Sequence, residues 1–438
     1  MRIALVAMSG VRVRNDELRA LGVTLPGFVE RGEVIASMPS LALLSIAAAT
    51  PPRHEIVYHE VRDLGDSPPE GFDLVAISTY TAQANEAYEI ADLCRSRGSR
   101  VVLGGLHVSQ VPAEALPHAD AVVIGEGERL WPSVVRDAER GRLARTYRES
   151  IPGLLDLSST PVPRFDLLDP SRYNRLTIQT HRGCPHDCEF CGASKLFAPG
   201  FRQKTVDRVL REIDAVESVA PRPFLELADD NTFVDRAWSK EFLRRIAPRR
   251  LRWFTESDVS IADDPELLDL LAASGCRQVL IGLESPGRAA LDGIDARNWK
   301  LRRHDRVVRA VDAIQSRGVS VNGCLIVGLD AHGPEVFDEV RAFVEASGIA
   351  DVQVTVPTPL PGTRLLDRLR REGRLLREAP WDQCTLFDVT FVPKRMSPRD
   401  LEDGMRSLFL DLYSAEAVAR RRRRFLARTH GAGAPGAA

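Results

Sequence analysis

Cys184, Cys188 and Cys191 stand at i, i+4 and i+7 in the stretch His181-Arg-Gly-Cys-Pro-His-Asp-Cys-Glu-Phe-Cys191. Gly, Pro, His and Asp between them make this a loop rather than a helix or strand. Three thiolates so spaced can reach three corners of an iron–sulfur cubane. A cubane held by three ligands keeps one iron open to a substrate or cofactor. The alternative is a zinc ion. A structural zinc takes four protein ligands, and the fourth would have to be His181 or His186. The chain has seven cysteines. An odd number with a tight cluster reads as a metal site before a disulfide framework. Cys276 and Cys324 lie in apolar surroundings and are expected to be buried structural thiols. Cys384, far beyond the loop, is a candidate accessory catalytic thiol.

The elements that position this loop alternate between strand and helix. A strand expected at 176–179 precedes it, and helical and strand-like segments then alternate to 352–356. That makes six β/α units over residues 176–363. A full eight-unit barrel takes about 250 residues, so a partial (β/α)6 barrel fits better. Carboxylates and hydroxyls recur where its strands end: Asp229-Asp230, Glu256-Ser257 and Glu284-Ser285. Residues 1–143 form an earlier alternating series, expected as a doubly wound, Rossmann-like α/β domain. Its polar and Gly-rich segments at 78–81, 104–109 and 125–128 follow strands, where such sheets bind ligands. Prolines at 152, 161, 163 and 170 mark 144–175 as a linker. Residues 364–425 read as a helical extension, and 426–438 as a disordered tail.

Composition narrows the field. The chain has 438 residues, 44% of them hydrophobic and 27% charged, with a net charge of −2. That is ordinary globular composition, and a general nucleic-acid binder would be clearly basic. No apolar run reaches the ~18–20 residues needed to span a bilayer. The start, MRIALVAMSG, has no basic region before a long apolar one, so a cytoplasmic protein is expected.

The cysteine spacing, with Phe190 in an aromatic slot before the third Cys, resembles the radical S-adenosylmethionine (SAM) superfamily. The resemblance implies a [4Fe–4S] cluster on Cys184, Cys188 and Cys191, with SAM on the fourth iron. An electron then cleaves SAM to methionine and a 5′-deoxyadenosyl radical, which abstracts hydrogen from an unactivated carbon. It further implies SAM contacts from Phe190, from Asp229 or Asp230 to the amino group, and from Glu256-Ser257 to the carboxylate. Glu284 would bind the ribose diol, and Gly323 and Gly328 the adenine side. Helix capping for the aspartates, a salt bridge for Glu284 and turn roles for the two glycines are the plain alternatives.

The N-terminal segments Ala76-Ile-Ser-Thr-Tyr-Thr81, Val102-Leu-Gly-Gly-Leu-His107 and Ile124-Gly-Glu-Gly-Glu128 resemble the cobalamin-binding group within that superfamily. They make Ser78, Thr79, Thr81, Gly104, Gly105, His107, Gly125, Glu126 and Gly127 candidate cobalamin contacts. The group's Asp-x-His-x-x-Gly motif is absent, since Val13–Leu18 reads VRNDEL. His107 is a hydrogen-bonded loop histidine before it is a cobalt ligand. Pro357–Thr363 and the following helix resemble the C-terminal extension of cobalamin-type members such as hopanoid C-methylases. Pro357, Pro359 and Pro361 would stiffen a loop at the barrel mouth. Trp381, Phe387 and Phe391 either line that mouth or, more simply, pack in the core.

The implied activity is cobalamin-dependent C-methylation of a natural-product or lipid intermediate. One SAM would supply the methyl group and another the radical. A non-methylating rearrangement, cyclisation, epimerisation or transfer of another SAM-derived group is the alternative, and a non-catalytic cobalamin sensor a third reading. An external electron donor such as flavodoxin or ferredoxin is expected, and no nucleic acid. Arg420–Arg424 is a solvated helix end, or a contact for lipid headgroups, nucleic acid or an acidic carrier. Replacing Cys184, Cys188 or Cys191 with Ala should abolish reductive SAM cleavage. Full 5′-deoxyadenosine yield from any of these variants would remove the cluster assignment.

Overall fold

The computed structural model describes residues 1–8, 10–22, 34–35, 38–61, 67–192 and 200–431. Two six-stranded parallel sheets organise the chain. The first contains β1 (Arg2–Met8), β2 (Glu55–Val61), β3 (Leu74–Ser78), β4 (Arg100–Gly104), β5 (Ala121–Ile124) and β6 (Thr146–Arg148), in the order β2-β1-β3-β4-β5-β6. Residues 3–7 of β1 are at most 1% exposed. A continuous apolar strand of this kind belongs in the middle of a sheet covered by helices on both faces. Those helices include α1 (Leu41–Ala48), α2 (Ala84–Ser96) and α3 (Gly127–Glu139). Ser40 caps α1 by accepting from Leu43 N, and its own N–H donates to the Tyr58 hydroxyl at 2.7 Å. Trp131 of α3 is buried and satisfies its indole N–H on Thr50 Oγ1 at 2.7 Å.

The segment expected as a linker begins with sheet. Strand β6 pairs in parallel with β5 through Val122↔Thr146 to Ile124↔Arg148. Only three residues long, it carries Tyr147 inward and leaves its neighbours exposed, which is too short a pattern to read. The rest of 144–175 crosses to the second sheet in short 3-10 turns.

The second sheet starts at β7 (Leu176–Ile178). A two-residue antiparallel neck follows, β8 (His181–Arg182) with β9 (Arg202–Gln203), and the cysteine loop lies between them. Helix α4 (Val206–Val219) leads to β10 (Phe224–Leu227), β11 (Arg252–Ser257), β12 (Cys276–Glu284), β13 (Ser320–Ile326) and β14 (Asp351–Thr355). The order β7-β10-β11-β12-β13-β14 is the chain order, as a partial barrel requires.

Helix α5 (Val336–Ser347) covers the last strands. The C-terminal extension contributes α6 (Arg364–Arg371), α7 (Pro398–Leu412) and α8 (Ala415–Gly431), so the helical part runs past residue 425 into the segment expected as tail. Residues 432–438 lie outside the described residues. Trp381, Phe387 and Phe391 are all buried. Trp381 donates to Glu114 Oε2 at 2.7 Å, so it bolts the extension to the first domain. Asp388 accepts from the backbone N–H groups of Arg14 and Asn15 at 2.9 and 2.6 Å. Val13 and Leu18 join the barrel's hydrophobic core. The segment where Asp-x-His-x-x-Gly would stand therefore works as an interdomain strap.

The arginine run is mostly consumed by packing. Arg421 is 5% exposed and donates to Leu412 O at 2.7 Å. Arg420 and Arg424 pair with Glu345 of α5. A row of free guanidinium groups for lipid headgroups is not what this helix presents, because its register turns one arginine inward and two toward a carboxylate. No helix among the described residues is long and apolar enough to cross a membrane.

Gly404 sits inside α7, where alanine would ordinarily be better by about 1 kcal/mol. A Cβ there would lie 2.0 Å from the Phe337 ring of α5. Gly404→Ala should therefore destabilise by about 1–2 kcal/mol, the cost of overpacking outweighing the gain in propensity. A thermal midpoint equal to or above that of the wild type would contradict this packing account.

Candidate active site

The cysteine loop draws its shape from its surroundings. Asp229, at the end of β10, has a fully buried carboxylate. It accepts from Thr180 N at 2.7 Å, Thr180 Oγ1 at 2.6 Å, His181 N at 3.2 Å and Thr232 Oγ1 at 3.2 Å. Asp230 Oδ2 accepts from Gly183 N at 2.9 Å. Within the loop, Glu189 N donates to Ile294 O at 3.0 Å, and Glu189 Oε1 takes Arg368 Nη2 of α6 at 2.6 Å. A Cβ on Gly183 (φ +99°) would lie 2.0 Å from Gly200 O, so only glycine lets the loop close.

Neither histidine is free to be a fourth zinc ligand. His181 is fully buried against Asp229 and Thr180. His186 places Nε2 3.0 Å from Asp258 Oδ2 and stacks at 4.3 Å on Trp299. Among the described residues, no three His, Cys, Asp or Glu side chains converge as ligands of a single ion. The three half-buried cysteines form no disulfide, and burial pushes Cys188 up to about 12. A thiol so disfavoured as a bare anion needs a cationic iron partner to ionise. This donor set fits a three-thiolate cubane better than a tetrahedral ion.

The other barrel candidates divide. Glu256 is exposed to the lumen, yet protein surrounds it at longer range. Desolvation, with Glu226, Asp230 and Asp229 nearby, pushes its carboxyl up to about 8. Ser257 is 8% exposed. Glu284 has φ +64°, a costly conformation for a non-glycine residue and one that persists only when its surroundings enforce it. Its Oε1 lies 2.6 Å from Lys300 Nζ, which also donates to Gly282 O at 2.8 Å. Lys300 escaped the sequence reading; its only signal was being one of few lysines in an arginine-rich chain. Phe190 is half-buried and packs against Ile326 and Leu329 neighbours.

Gly323 and Gly328 have packing reasons instead. A Cβ would meet Leu283 at 2.9 Å in the first case and Leu401 at 2.7 Å in the second. Cys324 departs from expectation, because it is half-buried and lies within electrostatic reach of Glu256 and Glu284.

The first domain presents its candidates along the carboxyl edge of its sheet. A Cβ on Gly105 (φ +102°) would lie 2.7 Å from Thr79 O, so β4 can approach the Ser78-Thr79 turn only as glycine. Gly104 follows normal sheet geometry, and a Cβ there would lie 3.7 Å from Val123, an ordinary contact. His107 is fully buried, 3.3 Å from Thr81 Oγ1 and edge-on to Trp381. Burial lowers it to about 4, so it is neutral. Gln83 Oε1, Tyr88 Oη and His107 Nε2 are buried without a hydrogen-bond partner. Each such atom costs about 1–3 kcal/mol, so this edge suits a ligand rich in polar groups.

Gly125 (φ +96°) meets only Glu149, at 3.9 Å. Glu126 and Glu128 are not available to a ligand: Glu126 pairs with Arg182 and Arg202, and Glu128 with Arg182. A Cβ on Gly127 would lie 3.5 Å from Ile46. Between the domains lies a cavity of about 260 Å³. Its walls include Tyr80 and Leu106 from the first domain, Gly192 from the cysteine loop, and Leu360, Cys384 and Leu386 from the extension. Tyr80 is 58% exposed there. Burial pushes Cys384 up to about 12, so it rests as a thiol.

A sheet edge fitted for a polar-rimmed cofactor thus faces a barrel whose mouth carries three thiols. That pairing defines a radical SAM enzyme with a B12-binding domain. The Radical SAM superfamily matches residues 178–344, a B12 binding domain matches 37–135, and a domain of unknown function matches 363–437. An uncharacterized methyltransferase of Synechocystis sp. is 30% identical over 387 residues, covering 86% of this chain and 71% of its own. The bacteriochlorophyllide d C-12(1)-methyltransferase of Chlorobaculum tepidum is 27% identical over 401 residues, covering 90% and 86%. The methyltransferase TsrM from Kitasatospora setae, with cobalamin and a [4Fe-4S] cluster bound, shares the fold. Its TM-score is 0.64 at 17% identity, over 95% of this chain and 89% of that one. The chain belongs to the radical SAM superfamily, in the group that carries a B12-binding domain.

Two carboxylates on neighbouring strand ends should behave differently. Asp229→Ala removes the acceptor of four buried donors and should lose several kcal/mol of stability together with cluster iron. Glu284→Ala should retain iron and weaken SAM binding, read by equilibrium dialysis. Iron loss in the Glu284 variant, or none in the Asp229 variant, would reverse these roles.

Proposed function

We propose that this enzyme is a cobalamin-dependent radical SAM methyltransferase acting on an unactivated carbon of a small-molecule or lipid intermediate. The observation that carries the reading is the shared cavity, walled at once by the first domain, the cysteine loop and the extension. A methyl group must pass between two cofactors and one substrate, and this is the space both domains reach. The names of the relatives support the same chemistry.

When bound, the cluster and SAM supply the 5′-deoxyadenosyl radical, and cobalamin supplies the methyl group. The chain's own residues hold and exclude. Cys184, Cys188 and Cys191 would hold the cluster. Glu284, with one oxygen on Lys300, keeps its other oxygen for a diol. Ser257 and Glu256 border the same lumen. Ser78, Thr79, Thr81 and the backbone at Gly104, Gly105 and Gly125 would meet cobalamin. Leu106, Leu360 and Leu386 keep water from a carbon radical. An external one-electron donor of the flavodoxin or ferredoxin type completes the requirement.

The test begins with cobalt. Protein reconstituted anaerobically with iron and sulfide, given hydroxocobalamin and desalted, should retain near-stoichiometric cobalt. With reductant, SAM and substrate it should then form S-adenosylhomocysteine beside 5′-deoxyadenosine. Retained iron without cobalt, or 5′-deoxyadenosine alone, would favour a non-methylating radical reaction.

A further inference from the structure

The neck of the cysteine loop carries an arrangement that ordinary sheet pairing disfavours. Arg182 of β8 and Arg202 of β9 are direct cross-strand partners. Like charges directly opposite one another destabilise a two-stranded ribbon. Both are largely buried, with side chains 14% and 16% exposed, so solvent does little to screen them. The compensating charge comes from the other domain. Glu126, its side chain fully buried, accepts from Arg182 Nη1 at 2.7 Å through Oε1. It accepts from Arg202 Nη1 at 2.8 Å through Oε2 and from Arg202 Nη2 at 3.0 Å through Oε1. Glu128 takes the second amine of Arg182. Arg202 also donates to Leu155 O at 3.2 Å.

We propose that Glu126 is a positioning residue for the cluster: through it the B12-binding domain closes the neck that holds Cys184, Cys188 and Cys191, and sets the charge beside them. This goes beyond the proposed methyl transfer, because it concerns only the cluster loop. It also gives the two domains a physical link. Glu126 stands between Gly125 and Gly127 on the ligand edge, so a ligand pressing on that backbone moves the carboxylate that shuts the neck. Glu149 deepens the constraint. Both its oxygens are buried without a hydrogen bond, and its nearest cation, Arg129, is 3.6 Å away. It feels the charge of Arg202 but makes no hydrogen bond to either arginine of the neck, so it does not replace Glu126.

The test uses the full-length, cluster-reconstituted enzyme without cobalamin, which separates it from the methyl-transfer reading. Glu126→Gln keeps the shape and removes the charge. Iron release to a chelator should accelerate at least tenfold, and backbone hydrogen exchange at 181–183 and 202–204 should rise. The midpoint potential should become less negative, since Arg202 loses its carboxylate and Arg182 keeps only Glu128, and the added positive charge favours the reduced cluster. That direction is one that mere loosening would not dictate. Glu126→Asp should restore the potential in part. Glu139→Gln, on an exposed ion pair with Arg53 in the same domain, serves as the control and should change nothing. Wild-type iron release and potential in Glu126→Gln would overturn the proposal, as would the same changes in Glu139→Gln. If Glu126→Gln fails to fold, Arg202→Gln tests the same neck. It should slow iron release relative to a charge-unbalanced variant, Glu128→Gln, and the reverse order would overturn the proposal.

Discussion

Three thiols on a loop without regular secondary structure cannot set their own spacing, and the rest of the molecule is arranged around that constraint. Asp229 fixes the loop's entrance by gathering backbone and side-chain donors from Thr180 and His181. Ile294 O holds its middle, and Arg368 of α6 grips Glu189. Glu126 closes the neck. These partners come from the barrel, the extension and the first domain. Each part of the chain therefore contributes to cluster geometry, although a local reading places the whole site in one motif.

This explains what was legible in the residues and what was not. Parallel sheets announce themselves, because a strand buried on both faces is largely apolar, as residues 3–7 are throughout. The cysteine spacing is likewise local. A three-residue edge strand such as β6 has no period to detect, so its segment looked like linker. Salt bridges across domains leave no pattern at all. Glu126 looked like a ligand contact because it lies between two glycines at a strand end, and nothing nearby in sequence says that two arginines occupy it. Lys300 is hidden for the same reason, sixteen positions past the carboxylate it meets. Gly323 and Gly328 show another limit: a glycine allows close approach, and Leu283 and Leu401 are the side chains a Cβ would meet there, which no local pattern announces.

The Asp-x-His-x-x-Gly departure also acquires a physical account. The backbone after β1 is held by Asp388, and Val13 and Leu18 are buried with the barrel core. Releasing that segment to present a ligand from below would expose two apolar side chains, at about 1.5–3 kcal/mol for each large one. It would also strand a buried carboxylate. The chain uses this length to fasten its domains, so a lower ligand, where one is needed, must come from elsewhere on the edge.

The lumen carries its own electrostatic logic. Glu226 is neutralised by Arg175 and Glu284 by Lys300. Glu256 makes no ion pair among the described residues and is pushed up to about 8 by burial and its acidic neighbours. Near neutral pH Glu256 therefore holds a proton. A cation arriving in the lumen reverses the balance, because it favours the ionised form and releases that proton. The sign follows directly: a cationic ligand binds more tightly as pH rises toward 8 and gains nothing further above it. An anionic ligand meets the opposite field. A barrel built this way selects for positive charge at its centre, which a sulfonium cofactor carries, while Leu106, Leu360 and Leu386 give the interdomain cavity the apolar walls that an unactivated substrate carbon needs.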